Sequence, residues 1–235
     1  MIQDWLRAPD TSINFNENRR KKHSGTGLWL VMAIWSEIFL WLRGFAGCGK
    51  SVLCSIMIEH TLRRRGFDRT SRGGVVFFFF TFKDDSKQNI SDYLRSLVLQ
   101  LSAQLGSTPA LQRLSRNYER SIPTDTSLLE CLHQVHLMFQ DVYIILDAWN
   151  ERLRDAHRRW MLVTIADIRA WSDCFCLHLL LQSDHDKTVT LRNDGTDRDI
   201  AIFISLHLRN NHRLRKWEQY HPEIQRVLTQ KADGV

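Results

Sequence analysis

Long apolar runs punctuate the chain. Three of them are GGVVFFFFTF at 73–82, VYIIL at 142–146 and CFCLHLLLQS at 174–183. Continuous apolar runs, without alternation, are typical of strands that are buried on both faces of a parallel sheet. Two shorter runs, at 38–42 and 187–191, bring the set of predicted strands to five.

Between these runs, apolar residues recur at the three- and four-residue spacing of amphipathic helices. Strands that alternate with helices predict an α/β fold of three layers, in which helices cover both faces of a mostly parallel five-stranded sheet. The predicted helices lie at 90–105, from Leu111 to a break near Pro123, at 128–139 with Thr126 or Asp125 as N-cap, at roughly 153–171, and within 193–235.

Length and composition suit one domain, or one domain with an appendage. The chain has 235 residues, of which 43% are hydrophobic, enough for a sizeable core. We predict a polar lead-in at 1–27, a nucleotide-binding core at 28–192 and a helical extension at 193–235.

The net charge of +6 owes part of its excess to RRKK at 19–22. Such a run is compatible with a nuclear signal or a nucleic-acid contact, but we interpret it as a solvated basic turn. Elsewhere no dense basic groove is visible, so we do not expect a nucleic-acid partner.

The five cysteines form no disulfide-like framework, which favours a reducing, intracellular and cytoplasmic location. The N-terminus lacks the pattern of a signal peptide. The most apolar region, 28–42, contains Ser36 and Glu37 and is too short to span a bilayer. We read it as the end of a helix, a break and a strand, and we expect no membrane partner.

The stretch GFAGCGKS at 44–51 matches the phosphate-loop pattern G-x-x-x-x-G-K-[ST]. The apolar run at 38–42 precedes it. A helical pattern that ends near Gly66 follows it, so the motif has the strand–loop–helix context that a phosphate loop requires. The predicted nucleotide-binding residues are Gly44, Phe45, Ala46, Gly47, Cys48, Gly49, Lys50 and Ser51.

Each residue type has a chemical reason. The glycines let backbone N–H groups approach phosphates, and the helix N-terminus adds its partial positive charge. Lys50 is predicted to reach the β- and γ-phosphates of ATP or GTP, and the Ser51 hydroxyl to bind Mg²⁺.

A phosphate loop needs a partner acid for Mg²⁺ at the carboxyl end of a neighbouring buried strand. Asp147, at the end of the 142–146 run, meets this requirement. Glu151 lies four residues further on, where a carboxylate can orient or deprotonate an attacking water. A second reading of Glu151 is an acid that stabilises a helix N-terminus.

Several stretches, in order along nearly the whole chain, carry a family pattern. They are HSGTGLW (23–29), FLWLRGFAGCGKSVL (39–53), VVFFFFTFKDD (75–85) with LRSLVLQL (94–101), YIILDAWNE (143–151) and LTQKADG (228–234).

With these stretches the chain resembles the NACHT-type domains of fungal NOD-like proteins, which are signal-transducing P-loop NTPases, and domains described as nephrocystin-3-like N-terminal. The resemblance implies a P-loop NTPase fold and binding of ATP or GTP. It also implies that the nucleotide state gates homo-oligomerisation or partner binding. Family members continue beyond the position of Val235, so we expect the chain to correspond to a truncated copy.

Two departures from the family pattern concern hydrolysis. Asn150 stands where the family usually has an acid, and Asp184 stands where it usually has an arginine that senses the γ-phosphate. We therefore expect weak or absent hydrolysis. The alternative function is a non-enzymatic interaction module from a degenerate protein. A nucleic-acid-dependent motor or a small-molecule kinase is disfavoured, because no substrate lid is recognisable.

Three other patterns are interpreted as structural. Cys174, Cys176 and His178 alternate along one predicted strand and cannot surround a metal ion tetrahedrally. His133 and His136 are predicted to be surface histidines. The aromatic run at 77–80 points to both faces of its strand, which suits a buried core and not a base-stacking platform.

Overall fold

The computed structural model describes residues 2–36, 39–44, 47–67, 73–81, 89–106, 108–147, 155–171, 176–181, 188–190 and 194–232. Helices and strands alternate through these residues, which confirms the α/β class. The elements are α1 (Ile2–Leu6), α2 (Ser12–Arg20), α3 (Leu28–Ser36), β1 (Phe39–Arg43), α4 (Lys50–Phe67), β2 (Gly73–Phe79), α5 (Ile90–Gln104), α6 (Pro109–Asn117), α7 (Asp125–His136), β3 (Asp141–Asp147), α8 (Asp155–Ala170), β4 (Cys176–Leu181), β5 (Thr188–Thr190), α9 (Asp194–Asn210), a 3₁₀ helix (Arg215–Tyr220) and α10 (His221–Ala232).

The strands form one parallel sheet in the order β2-β3-β4-β1-β5. β2 and β3 pair along their full length, from Gly73 opposite Asp141 to Phe79 opposite Asp147. β4 separates β1 from β3. Since neighbouring strands lie about 4.8 Å apart, the carboxyl ends of β1 and β3 lie roughly 10 Å apart, with the end of β4 between them.

Two hydrophobic cores lie on opposite faces of the sheet. Side chains of successive strand residues point to opposite faces. In β2, Phe78 contributes to the large core, which α5, α6, α7 and α8 cover. Phe79 and the packed Phe77 contribute to the small core, which α3 and α4 cover. The aromatic run therefore is core on both faces, as predicted.

Glutamine side chains form hydrogen bonds with the backbone of β2 at the outer edge of the sheet. Gln104 accepts from the backbone N–H of Val75 at 3.0 Å and donates to the Val75 carbonyl at 2.7 Å. Gln100 makes the same pair of bonds with Phe77, at 3.1 and 2.9 Å. These residues are one turn apart on α5, so the helix supplies at this edge the bonds that another strand would make, and the edge is protected from pairing with other chains.

The caps of the helices explain where they begin. Asn89 accepts from the N–H of Asp92, and Thr108 accepts from that of Leu111. Thr124 caps α7, through a bond from the N–H of Ser127 at 3.3 Å. The predicted cap, Thr126 or Asp125, was therefore wrong: threonine and aspartate are both good caps, and only the direction of the chain before the helix selects among them.

The N-terminal segment contains helices that its polar sequence did not indicate. Leu6 of α1 is buried in the large core, and Trp5 donates from Nε1 to the carbonyl of Tyr118 at 3.0 Å. Phe15 of α2 packs against Phe77, with ring centroids 5.3 Å apart. Each helix offers few apolar residues, which is too weak a periodic signal to predict it.

Candidate functional site

The loop between β1 and α4 lies at the carboxyl end of the sheet. α4 begins at Lys50, and the N–H of Leu53 donates to the carbonyl of Gly49 at 3.0 Å. Cys48 and Lys50 are buried, whereas Gly44 and Ser51 are half-buried. Phe45 and Ala46 lie outside the described residues. The strand, loop and helix follow one another as the sequence predicted.

Glycine is required at two loop positions because of backbone conformation. Gly47 has φ +87° and Gly49 has φ +88°, in the left-handed region that other residues rarely adopt. A Cβ at either position would meet nothing within 4 Å, so space is not the constraint. Alternation of left-handed and right-handed residues turns successive N–H groups toward one side, which is the geometry of an anion-binding concavity.

Lys50 folds back over this loop. Its side chain is only 7% exposed. Nζ donates to the carbonyl of Gly44 at 2.8 Å and lies 3.7 Å from Sγ of Cys48. These contacts use N–H groups of the Lys50 ammonium, which carries three, and they hold it within the loop where it is predicted to bind phosphate.

Asp147 ends β3 and is 6% exposed. Its carbonyl accepts from the N–H of Phe80 at 3.0 Å, which fixes the backbone beyond the last ladder pair. Its Oδ1 accepts from Sγ of Cys54 at 3.7 Å. Cys54 lies on the first turns of α4, three residues after Ser51, so the end of β3 touches the start of the helix that Lys50 opens.

The electrostatics at Cys54 agree with that contact. Burial, and then the charge of Asp147, raise the pKa of the Cys54 thiol well above its ordinary value, while the charge of Lys50 acts in the opposite sense. Cys54 is therefore a neutral thiol at physiological pH and packs as a small apolar residue. Because the charges of Lys50 and Asp147 both act on Cys54, both groups lie close to the first turns of α4.

Glu151, the predicted catalytic residue, lies outside the described residues. So do Asn150 and Asp184, where the chain departs from the family pattern. Their predicted roles stay predictions.

A cavity of about 660 Å³ adjoins the phosphate loop. Gly47, Cys48 and Gly49 line one end of it, and Val52, Leu53 and Ile56 of α4 form an apolar wall. Facing walls come from the 21–29 segment and from α9 and α10. Its position and mostly apolar lining suit a planar organic group attached to whatever binds the loop.

Asp199 of α9 joins two of these walls. Its Oδ2 accepts from the N–H of Gly27 at 2.7 Å and from Nε1 of Trp29 at 3.0 Å. Gly27 has φ +76°, and a Cβ there would lie 2.7 Å from Cδ1 of Ile56. The HSGTGLW pattern did not indicate Asp199, because no local signal links a carboxylate to donors 170 and 172 residues away.

A family model described as Nephrocystin 3, N-terminal matches residues 24–183. The chain belongs to this family. The match confirms the nephrocystin-3-like part of the predicted resemblance. It covers the phosphate loop, Asp147 and the Gly27–Trp29 turn of this nephrocystin 3 N-terminal domain, whereas Asp199 lies beyond it. No curated protein and no solved structure matched the chain significantly.

Basic residues at 19–22 of the nephrocystin 3 N-terminal domain are partly engaged in ion pairs. Lys22 pairs with Glu59 of α4 at 2.7 Å, and Arg19 lies 3.5 Å from the same carboxylate. Arg63 pairs with it at 2.6 Å. These cations, led by the bond from Lys22, hold the pKa of Glu59 below its ordinary value. The prediction of a solvated turn was thus incomplete, since the run also fastens α2 to α4.

The histidine prediction was wrong in part. His136 is 2% exposed and packs near Trp171, with ring centroids 5.7 Å apart. Burial, followed by the charge of His133, lowers the pKa of His136. It occupies an inner position of α7 beside Val135, where sequence alone does not distinguish a core histidine from a surface one. His133 is half-buried.

The other structural interpretations concern metal and membrane. Cys174 lies outside the described residues, and among the described ones no three or more His, Cys, Asp or Glu side chains are grouped so that they could hold a metal ion. Within the same part of the chain, no helix is long and apolar enough to cross a membrane.

Proposed function

We propose that this nephrocystin 3 N-terminal domain binds a nucleoside triphosphate, ATP or GTP, together with Mg²⁺, as the switch domain of a signal-transducing P-loop NTPase. One observation carries the proposal. The Cys54–Asp147 contact brings the acid at the end of β3 against the first turns of α4, where Lys50 and Ser51 lie. A phosphate loop without that acid would be a far weaker argument.

The loop from Gly44 to Ser51 is the proposed phosphate site. Left-handed Gly47 and Gly49 orient backbone N–H groups, and the N-terminus of α4 adds a favourable partial charge for an anion. Lys50 supplies the formal positive charge beside the β- and γ-phosphates.

Ser51 and Asp147 are the proposed Mg²⁺ ligands. Mg²⁺ prefers oxygen ligands and is usually held by one or two protein side chains, together with phosphates and water. A buried carboxylate and a half-buried hydroxyl at the start of α4 fit that requirement. Bound Mg²⁺ would neutralise phosphate charge, and these residues would orient it.

The cavity beside the loop is the proposed site of the base and sugar. Its volume and apolar wall suit a purine, and both adenine and guanine are retained as bases. In the sheet, β1 and β4 are neighbours. After β1 the chain continues to β2 on one side of this pair, and after β4 it continues to β5 on the other side. Ligands of open α/β sheets bind at such reversals of strand order, which also supports this position.

We propose that hydrolysis is slow, below the ~1 s⁻¹ lower end of ordinary enzymes. Glu151 is the candidate for orienting or deprotonating water. The family's arginine is replaced by Asp184, however, and an arginine in that role contributes about 10³–10⁵ in rate. Nucleotide state then gates homo-oligomerisation or partner binding. The alternative, a non-enzymatic interaction module, draws its support from Asp184 and Asn150.

The test is Lys50→Ala, measured by equilibrium titration with fluorescent ATP and GTP in the presence of Mg²⁺. The expected loss of affinity is at least about tenfold, equivalent to ~1.4 kcal/mol, because the committed cation of the phosphate site is removed. Lys216→Ala is the control, since it removes the same charge from the exposed 3₁₀ helix. Equal binding by wild type and Lys50→Ala would overturn the proposal.

A further inference from the structure

The α9–α10 wall of the cavity is built from residues beyond the family-matched span. Asp199, Ile200 and Phe203 of α9, with Leu228 of α10, line the cavity opposite the phosphate loop and α4. Among the described elements, the backbone of α9 packs most closely against α10 and the 3₁₀ helix. Among the described residues, the side chains that join this helical unit to the 21–29 segment include Asp199 and Phe203.

Asp199 provides the polar part of that attachment. The bonds at 2.7 and 3.0 Å both end on Oδ2, and a charged acceptor makes each stronger than a bond between neutral groups. The ring of His23 also contacts Phe203, at 4.5 Å between centroids. Both attachments reach the segment that holds the HSGTGLW motif.

That segment lies against the helix that carries the phosphate loop. The Cβ position at Gly27 is 3.1 Å from Cδ2 of Leu53, and the N–H of Leu53 donates to Gly49 of the loop. Asp199 therefore bonds to Gly27, Gly27 lies close to the side chain of Leu53, and the N–H of Leu53 bonds to Gly49. A ligand that fills the cavity would contact Gly49 of the loop and Asp199 of α9, because both residues line it.

We propose that Asp199 is a positioning residue that holds the α9–α10 wall closed over the nucleotide cavity, so that nucleotide binding and wall closure stabilise each other. The inference rests on the proposed function. Its physical basis is linkage: a ligand that contacts both walls binds the closed arrangement better, and whatever favours closure raises affinity by the same factor. Asp199 acts through the wall and need not touch the nucleotide.

The variants are Asp199→Asn, with Asp197→Asn as matched control. Both remove one negative charge from α9, and Asp197 is exposed there. Asparagine keeps the shape of the side chain but replaces a charged acceptor with a neutral one. Trp29→Phe is a second test, because it removes the Nε1 donor and keeps an aromatic ring.

Hydrogen exchange read by mass spectrometry is followed at 23–30 and 194–210, with 90–104 as the internal reference, alongside binding of Mg-ATP and Mg-GTP to the full chain. In wild type, nucleotide should slow exchange at 194–210. Asp199→Asn should speed exchange at both segments, leave 90–104 unchanged, and weaken affinity about fivefold. Trp29→Phe should produce a smaller change in the same direction, and Asp197→Asn none.

The proposal is overturned if wild type binds nucleotide without added protection at 194–210, or if Asp199→Asn binds as wild type does. If exchange at 90–104 also rises, the variant has lost its fold and Trp29→Phe decides. If the proposed function itself is wrong, a different result is expected. Wild type would then not bind nucleotide, or would bind it independently of Lys50.

Discussion

The two faces of the sheet bury different kinds of residue. On the large-core face, Asp92 is the buried charged residue among those described, and Arg95 pairs with it at 2.6 Å. On the small-core face, Lys50, Glu59 and Asp147 are all buried, beside a loop of left-handed glycines. Burying a charge costs free energy unless the charge is paired. Glu59 is paired with the cations that fasten α2 to α4, and Lys50 and Asp147 are the buried charges of the candidate site. One face mainly stabilises the domain, and the other carries the candidate site.

The largest expected effect is a loss of stability when a side chain of the large core is removed. Phe78 is fully buried between Phe80 and Tyr93. Phe78→Ala should lower the free energy of unfolding by about 3–5 kcal/mol, because it removes a large buried ring and leaves a cavity. Urea denaturation measures the change, and Ile122→Ala, at a 69% exposed residue, is the control. The comparison fails if both variants unfold at the same urea concentration.

The next effect concerns the charged groups of the small-core face. Asp147→Asn should weaken Mg²⁺-dependent nucleotide binding by about tenfold, or ~1.4 kcal/mol, and leave binding in EDTA nearly unchanged. Glu151→Gln should keep binding and abolish any turnover, because it removes only a base. Titrations with and without Mg²⁺, and phosphate release, test both variants. The reverse pattern would show that the roles of these carboxylates are exchanged.

Asp147→Asn has an independent readout in the thiol of Cys54. The charge of Asp147 is one of the causes that raise the pKa of Cys54, so its removal should lower that pKa. Burial is the larger cause and remains, so the pKa should stay above its ordinary value. The S–H stretch of Cys54, followed by infrared spectroscopy against pH in a variant that keeps Cys54 as its only cysteine, detects the shift. An unchanged profile would mean that the Cys54–Asp147 contact is absent in solution.

A pair of glycines distinguishes conformational strain from ligand binding. Gly25 and Gly49 have φ +83° and +88°, and a Cβ at either would meet nothing within 4 Å. Each substitution by alanine should therefore destabilise the domain similarly, by about 1–2 kcal/mol. Only Gly49→Ala should also weaken nucleotide binding. Equal affinity losses in both variants, measured by titration, would remove the special role of the loop backbone.

The smallest effect concerns the ion pairs that fasten α2 to α4. Lys22→Ala should cost about 1 kcal/mol at pH 7, because Glu59 keeps its contacts with Arg19 and Arg63. The pKa of Glu59 is lowered in the folded state, so this stabilisation is present above its ordinary pKa and is lost as the pH falls through the folded value. Urea midpoints of wild type and variant should converge at acid pH. Lys21→Ala is the control, and a pH-independent difference would contradict the assignment.

Local patterns predicted most elements of the sheet and its helices. Apolar runs located β2 and β3 to within a few residues, and the described part of the 28–42 region contains α3 up to Ser36 and β1 from Phe39, as expected. Of the predicted 174–183 strand, the described residues form β4, Cys176–Leu181. The glycine loop at 44–51 was recognisable because the phosphate-loop pattern places certain residue types at fixed neighbouring positions. Phosphate binding by that loop, and the roles of Glu151 and Asp184, stay predictions.

What the sequence by itself determined is therefore whatever neighbouring residues encode: the period of burial, the glycine loop and an acid after a buried strand. Tertiary structure alone decided that β4 lies between β1 and β3, that Gln100 and Gln104 complete the edge of β2, and that Asp199 meets Gly27. These features arise between residues far apart in the chain. A carboxylate or an amide satisfies its hydrogen bonds equally well with water, and only the packed sheet and helices select its partner.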